Sequence, residues 1–172
     1  MLRAWQVIAI TLLALTMGTS FAHVLECPAK LYYTGELYLR LQTSLYAYWG
    51  PPSITGFVEP AAVLSVLSLV VICRRRPVVL RLTLGAAICL LLAFPVVFFW
   101  RVAPANATFF HATHTGILPS NWNAWRMRWE TGHAIRFVLH FIAFVLLALS
   151  FTSERADPYA ERNSSTAPDV TD

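Results

Sequence analysis

The chain has 172 residues, of which 57% are hydrophobic and 13% are charged, and its formal net charge is +4. A soluble globular domain carries about 25% charged residues, and a disordered chain needs low hydrophobicity, so the composition excludes both classes. The positive charge does not indicate nucleic-acid binding, because no basic run with interleaved aromatic residues is present. The composition predicts an integral membrane protein whose main partner is the lipid bilayer, with no nucleic acid.

Four segments in chain order approach or reach the roughly 20 apolar residues that a helix needs to cross a bilayer. Helices are favoured because they satisfy their own backbone hydrogen bonds in lipid. The fold class predicted is therefore all-α, an integral membrane four-helix bundle over residues 1–152. A polar tail, residues 153–172, follows it and has the composition of a disordered segment. The predicted helices cover about residues 5–25, 57–73, 78–100 and 133–152.

The link between the second and third segments is very short and holds Arg74, Arg75 and Arg76. Short loops rich in Lys and Arg stay on the cytoplasmic side of a membrane. The sequence therefore predicts a multi-pass protein with both termini in the cytoplasm and two long loops outside.

The first segment has an alternative interpretation as a secretory signal peptide. It has a basic start, an apolar core and small residues before a possible cleavage site after Ala22. Cleavage would make His23 the amino-terminal residue, where a histidine can bind copper. The apolar stretch continues through Val24 and Leu25, which favours an uncleaved helix.

Polar residues follow helical spacing on the first and last segments, and Glu59 begins the second segment at the same predicted level. Ionisable groups in membrane segments are costly, so each is a candidate functional residue. We predict an outward-facing polar pocket with tryptophans at its rim. The residues on the two stripes are Thr16, Thr19, His23, Glu26 and Lys30, and Trp129, Glu130, His133, Arg136 and His140; the rim residues are Trp122, Trp125 and Trp129.

Three kinds of site fit this pocket. His23, His133 and His140 with nearby glutamates could bind a metal or haem iron, but their spacing is not diagnostic, so no metal and no cofactor is predicted and metal or haem binding stays an alternative. A histidine beside carboxylates could perform acid–base chemistry, with Arg136 holding a developing anion. The third possibility is a structural, ligand-binding or assembly role, in which His133 and Arg136 tie the last helix to the first through Glu26.

Three strings resemble motifs of a bacterial and fungal family of small four-helix membrane proteins, largely of unknown function, that includes the anthrone oxygenases. Their order and spacing agree with the family over about residues 5–152. The strings are Glu26-Cys-Pro-Ala-Lys30-Leu31, Phe94-Pro95 followed by Pro104-Ala-Asn106, and Trp129-Glu-Thr-Gly-His133-Ala-Ile-Arg136.

For the anthrone oxygenase members, the resemblance implies oxidation of an activated ring methylene to a ketone by O2, without metal or flavin. The partner would be a small lipophilic aromatic molecule. With the polar stripe, the resemblance points to His133 as base and Arg136 as anion stabiliser, with Glu26 and Lys30 as an orienting pair and Asn106 as a hydrogen-bonding group. The residues predicted to bind substrate are His23, Glu59, Trp129, Glu130 and His140.

Overall fold

The computed structural model describes residues 2–50, 53 and 55–153, and within them the fold is all-α, without a strand. Apart from Ser153, the predicted polar tail lies outside the described residues. The five helices are α1 (Leu2–Lys30), α2 (Gly35–Ser44), α3 (Thr55–Ile72), α4 (Pro77–Thr115) and α5 (Trp122–Ser153). A single turn of 3-10 helix, Tyr46–Tyr48, follows α2.

Local sequence explains where several helices begin and end. The Thr34 side chain caps α2 by accepting a hydrogen bond of 3.3 Å from the backbone N–H of Leu37. Pro77 occupies the first turn of α4, where its missing N–H costs nothing. Helix α4 ends at Thr115, and the next residue is Gly116. Its φ of 68° is the left-handed conformation that glycine adopts without strain.

Helix α4 contains an unusual middle segment, because Leu92–Val102 is π-helical and holds Pro95. Proline has no N–H to donate to the preceding turn, and π-helical segments widen a helix and frequently occur at functional sites. This segment directs Phe94, Phe98 and Phe99 toward the cavity described below.

Helices α1, α3, α4 and α5 pack in a ring in which α1 and α4 each contact both α3 and α5. We call one side of this ring the site end: it holds the last residues of α1 and α4 and the first residues of α3 and α5. An apolar core fills the opposite half, with Leu13 of α1, Leu69 of α3 and Leu147 of α5 fully buried or nearly so. Helix α2 lies beside the ring and packs against the last turns of α4.

Helix α5 approaches the π-helical segment of α4 very closely at Gly132. A Cβ atom at this position would lie 2.8 Å from the Val102 side chain and 3.2 Å from that of Arg101. Glycine is needed here because any side chain would push the two backbones apart. The close approach holds the polar face of α5 against the cavity.

Helices α1, α4 and α5 are long and apolar enough to span a membrane, and this suggests a membrane protein. Large apolar side chains such as Leu15, Phe99 and Val138 are more than half exposed on the bundle surface. The apolar stretch of α3, Gly56–Ile72, is shorter than the other three. The predicted fourth span therefore stays a prediction.

The long helices extend beyond the apolar segments predicted from sequence. Helix α4 continues to Thr115 and α5 already begins at Trp122, because a helix does not end where its sequence becomes polar. Helix α2, in the first predicted loop, was not expected. Its central residue Tyr38 is fully buried against Phe109 and Trp129, so tertiary packing stabilises a helix that is too short to be stable alone.

Because α3 is short, it runs beside only part of α1. Its first turns reach the level of Ser20 of α1, because Ser20 and Glu59 both contact His140. Beyond that level, the 3-10 turn Tyr46–Tyr48 and the adjacent Trp49 lie against α1 in place of α3. The rings of Tyr46 and Trp49 pack on His23, with centroid distances of 4.9 and 5.0 Å. A cavity remains between this cover and the start of α3.

Candidate functional site

The cavity has a volume of about 1000 Å³ and is bounded by α1, α3, α4, α5, the end of α2 and the segment that follows it. Six of the ten residues predicted to act in catalysis or substrate binding line it: His23, Glu59, Asn106, Trp129, His133 and Arg136. Its walls are otherwise mainly apolar, with phenylalanines from α3 and α4: Phe57, Phe94, Phe98, Phe99, Phe109 and Phe110. An apolar cavity with a few convergent polar groups is the usual form of a small-molecule site.

Glu59 is the centre of a hydrogen-bonded cluster at the inner end of the cavity. Arg136 donates to its Oε2 atom, and His140 Nε2 lies 3.1 Å from Oε1. The other ring nitrogen of His140, Nδ1, lies 2.9 Å from Ser20 Oγ. The cluster therefore joins α3 to α5 through an ion pair and joins α5 to α1 through a histidine.

His140 itself is completely buried and does not line the cavity. Both of its ring nitrogens are occupied by Glu59 and Ser20, so it supports the cluster and does not present a free nitrogen to a ligand. The sequence placed His140 among the substrate-binding residues, and the structure places it one layer behind them.

His133 lies at the centre of an aromatic stack on the polar side of the cavity. Its ring centroid is 4.1 Å from that of His23 and 4.2 Å from that of Trp129. Arg136 Nη1 lies 3.4 Å from His133 Nδ1. Trp129 Nε1 donates a hydrogen bond of 2.7 Å to Asn106 Oδ1, so Asn106 positions the stack from α4.

Lys30 forms a second cluster toward the site end and is only 2% exposed. Its Nζ atom lies 3.2 Å from Glu130 Oε1 and 3.5 Å from Glu26 Oε2. The same ammonium lies over the rings of Trp129 and Tyr46, at 4.6 and 5.0 Å from their centroids. A buried cation between two carboxylates and two π-faces is well compensated.

Two tyrosines complete this second cluster. Tyr38 donates a hydrogen bond of 3.0 Å to Glu130 Oε1, and Tyr46 donates to Glu26 Oε2. Burial raises the pKa of both hydroxyls above the ordinary tyrosine value, and the acceptor carboxylates add to the rise. Both hydroxyls therefore stay protonated and keep donating.

The structure thus divides the predicted pocket into two parts. His23, Glu59, His133 and Arg136 face the cavity, whereas Lys30 is closed off from it. Glu26 and Glu130 also do not line the cavity, because their carboxylates serve Lys30 and the tyrosines. Trp129, predicted at the rim, is 2% exposed and lies inside.

Sequence reasoning missed Ser20, Tyr38 and Tyr46. Ser20 was detectable, because it lies four residues after Thr16 and three before His23 on the polar stripe of α1. The two tyrosines carry no local signal, since tyrosines near helix ends are typical of any membrane interface.

The described part of the chain contains no group of three or more His, Cys, Asp or Glu side chains arranged to hold a metal ion. The three cysteines are free thiols. No family model, no curated protein and no solved structure matches this chain.

We expect Glu59→Ala to destabilise the fold by about 3–5 kcal/mol, because Arg136 would stay buried without its carboxylate. Denaturant unfolding in detergent micelles measures the change. Ser68→Ala is the control, because this half-buried serine lies on the same helix and its hydroxyl donates only to the backbone oxygen of Leu64 within that helix. It should stay within about 0.5 kcal/mol of the parent. Equal stability of the two variants would contradict a central role for the ion pair.

The raised pKa values of Tyr38 and Tyr46 predict a loss of stability in alkali. The contribution is complete below the ordinary tyrosine pKa of about 10 and is lost as pH rises above it, because only the unfolded chain releases these protons readily. Thermal unfolding followed from pH 8 to pH 12 should show a flatter pH dependence in the Tyr38→Phe, Tyr46→Phe double variant. The same slope in parent and variant would refute this prediction.

Proposed function

We propose that this chain is a multi-pass membrane protein that binds a flat lipophilic aromatic molecule and oxidises it with O2, without a metal or flavin. The observation that carries the proposal is the cavity itself. It combines phenylalanine walls with an arginine and two histidines at one end.

The walls favour an apolar, aromatic ligand. Phe57, Phe98 and Phe110 offer ring faces and edges from α3 and α4, and aromatic pairs gain energy beyond their buried area. The volume of about 1000 Å³ is ample for a molecule of three fused rings, since small-molecule sites usually measure about 300–1,000 Å³. Phe57 and Phe110 are also 60% and 63% exposed, so the walls continue onto the apolar outer surface.

The polar end favours a ligand oxygen that gains negative charge. Arg136 and His133 lie side by side there, and a guanidinium in a water-poor site strongly stabilises an oxyanion. The substrate class that fits is a polycyclic ketone with an activated ring methylene, as in the anthrones. In the reaction, the methylene loses two hydrogens and O2 supplies the new ketone oxygen, so that CH2 and O2 give C=O and H2O.

The resemblance to the anthrone oxygenase family supports this proposal independently of the cavity. Its motifs fall on Glu26 and Lys30 of α1, on Asn106 of α4, and on His133 and Arg136 of α5. In the folded chain, these residues lie in or directly beside the two clusters. Motifs far apart in sequence therefore converge on one end of the bundle.

A non-enzymatic role is the second candidate, favoured by the Glu59 cluster. Arg136 and His140 join α5 to α3, and Ser20 extends the link to α1. Such a network suits a structural or ligand-binding membrane protein, or a subunit of a larger assembly. In that case the cavity binds a lipophilic molecule without converting it, or stays empty.

Turnover of an anthrone by the purified protein in detergent tests the catalytic proposal. We expect one O2 consumed per ketone formed, and a loss of about 100-fold or more in Arg136→Ala, because the developing oxyanion loses the positive charge beside it. Arg74→Ala, at the opposite end of the bundle, is the matched control and should keep the parent rate. Absence of turnover in the parent, with anthrone still bound, would favour the second candidate.

We further propose that both termini lie in the cytoplasm and that the cavity lies toward the outer face. The three consecutive arginines between α3 and α4 support this orientation. In intact cells, and with Cys27, Cys73 and Cys89 replaced by serine, a membrane-impermeant thiol reagent should label Arg75→Cys only after permeabilisation. Tyr32→Cys, at a position 90% exposed, should be labelled directly. The reverse pattern would invert the proposed topology.

A further inference from the structure

We infer that the two stacked histidines have opposite roles: His23 takes a proton from the ligand through Nε2, and His133 donates a hydrogen bond from Nε2 to the ligand's oxygen. This inference rests on the proposed function and deepens it. It also reverses the role that the sequence assigned to His133, for which a base was expected. The two rings differ in what lies next to the Nδ1 atom.

The neighbour of His133 Nδ1 is Arg136 Nη1, at 3.4 Å. A guanidinium carries only donors and keeps its proton, so Nδ1 of His133 must be the acceptor in this contact. The proton of the neutral imidazole is then on Nε2. His133 therefore presents an N–H to the cavity and has no lone pair there to act as a base.

The neighbour of His23 Nδ1 is of the opposite kind. The nearest charged atom to it is Glu26 Oε2, at 3.8 Å, and Nδ1 is buried without a hydrogen-bond partner among the described residues. A carboxylate on this side favours a proton on Nδ1, which leaves the lone pair of Nε2 for the ligand. The distance exceeds a hydrogen bond, but such contacts often tighten only when a ligand is bound.

The charges around the two rings support the division. His133 faces Arg136, whose positive charge opposes a second proton on that ring. Glu26 is the carboxylate beside His23 Nδ1 and favours the imidazolium that forms when the ring accepts a proton, whereas the positive charges of Lys30 and Arg136 oppose it. Lys30 Nζ lies 3.5 Å from Glu26 Oε2 and 3.2 Å from Glu130 Oε1, so these three groups together place a net negative charge on this side of His23. With centroids 4.1 Å apart, the rings can share one additional proton but not two.

Proton removal comes first. A methylene C–H bond of the ketone breaks, its proton moves to His23 Nε2, and its electron pair moves through the ring system to the ketone oxygen. The resulting enolate oxygen accepts a hydrogen bond from His133 Nε2–H, and Arg136 adds its positive charge from the Nδ1 side of that ring. The former methylene carbon then forms a C–O bond to O2, which takes up two electrons, and the peroxide takes the proton back from His23 to become a hydroperoxide. Loss of the second C–H proton breaks the O–O bond, releases water and leaves the new ketone. Glu59 acts as a positioning residue, because it holds Arg136 against His133.

The first test needs no substrate. Nitrogen-15 NMR of the histidine rings in the parent protein reports which nitrogen carries the proton. We expect the Nε2–H tautomer for His133 and the Nδ1–H tautomer for His23, with each signal assigned by its absence in the His133→Gln or His23→Gln protein. The opposite tautomers would overturn the inference, whether or not the protein turns over anthrone.

The second test isolates proton removal from oxygenation. Without O2 and in D2O, the protein should catalyse exchange of the anthrone methylene hydrogens for deuterium. We expect His23→Gln to lose about 100-fold or more of this exchange, because an amide cannot take up a proton. His133→Gln keeps an N–H donor and should stay within about tenfold of the parent, and His133→Ala should lose about 100-fold.

His111→Gln, on an exposed position of α4, is the matched control and should exchange at the parent rate. Equal losses in His23→Gln and His133→Gln would overturn the assignment of roles. If the parent binds anthrone but neither exchanges nor oxidises it, both the catalytic proposal and the role of His23 as base fail. A third outcome distinguishes the oxygenase proposal from the inference about the histidines. If the parent exchanges the methylene hydrogens without O2 but does not oxidise anthrone when O2 is present, the roles of the histidines are supported and the oxygenase proposal is refuted.

Discussion

The carboxylate of Glu59, on α3, joins that helix to α5. It accepts a hydrogen bond from Arg136, as an ion pair, and lies within hydrogen-bond distance of His140. The side chain of Glu59 is 13% exposed and that of Arg136 is 8% exposed, so neither charge has enough water to be stable alone. Removing one partner would leave the other as an uncompensated charge. The constraint fixes the rotation of α5, because its polar face must point at the start of α3. Ser20 then sets the height of α1 through His140.

The cavity follows from this constraint and from the shortness of α3. Helix α3 begins near the level of Glu59, so it does not accompany the remaining length of α1, α4 and α5. The chain after α2 covers the gap through Tyr46 and Trp49 but does not fill it. Polar groups collect where α5 faces the gap, and phenylalanines from the π-helical segment of α4 form the adjoining wall, with Phe98 against Arg136. The result is a cavity with mainly apolar walls and a few polar groups on one side.

The sequence predicted more of the candidate site than it predicted of the local structure around that site. His133 and Arg136 were recognised because ionisable residues in an apolar helix need partners, and spacing alone placed them on one face. Helix α2 and the burial of Trp129 were not recognised, since both depend on Tyr38, a residue that looks like any interfacial tyrosine. Ser20 could have been included, because it belongs to the same stripe as His23.

By itself, the sequence determined the class of fold and the set of residues that need explanation. Low charge and long apolar segments dictate helices, and helical periodicity dictates which polar residues share a face. Only the tertiary structure decided how these residues divide between a cavity and a closed ion-pair cluster. It also decided that the ring of His23 stacks on that of His133 and that Glu59 pairs with Arg136. The physical reason is that helical spacing places only neighbours three or four positions away, whereas packing between helices brings together residues that are far apart in the chain.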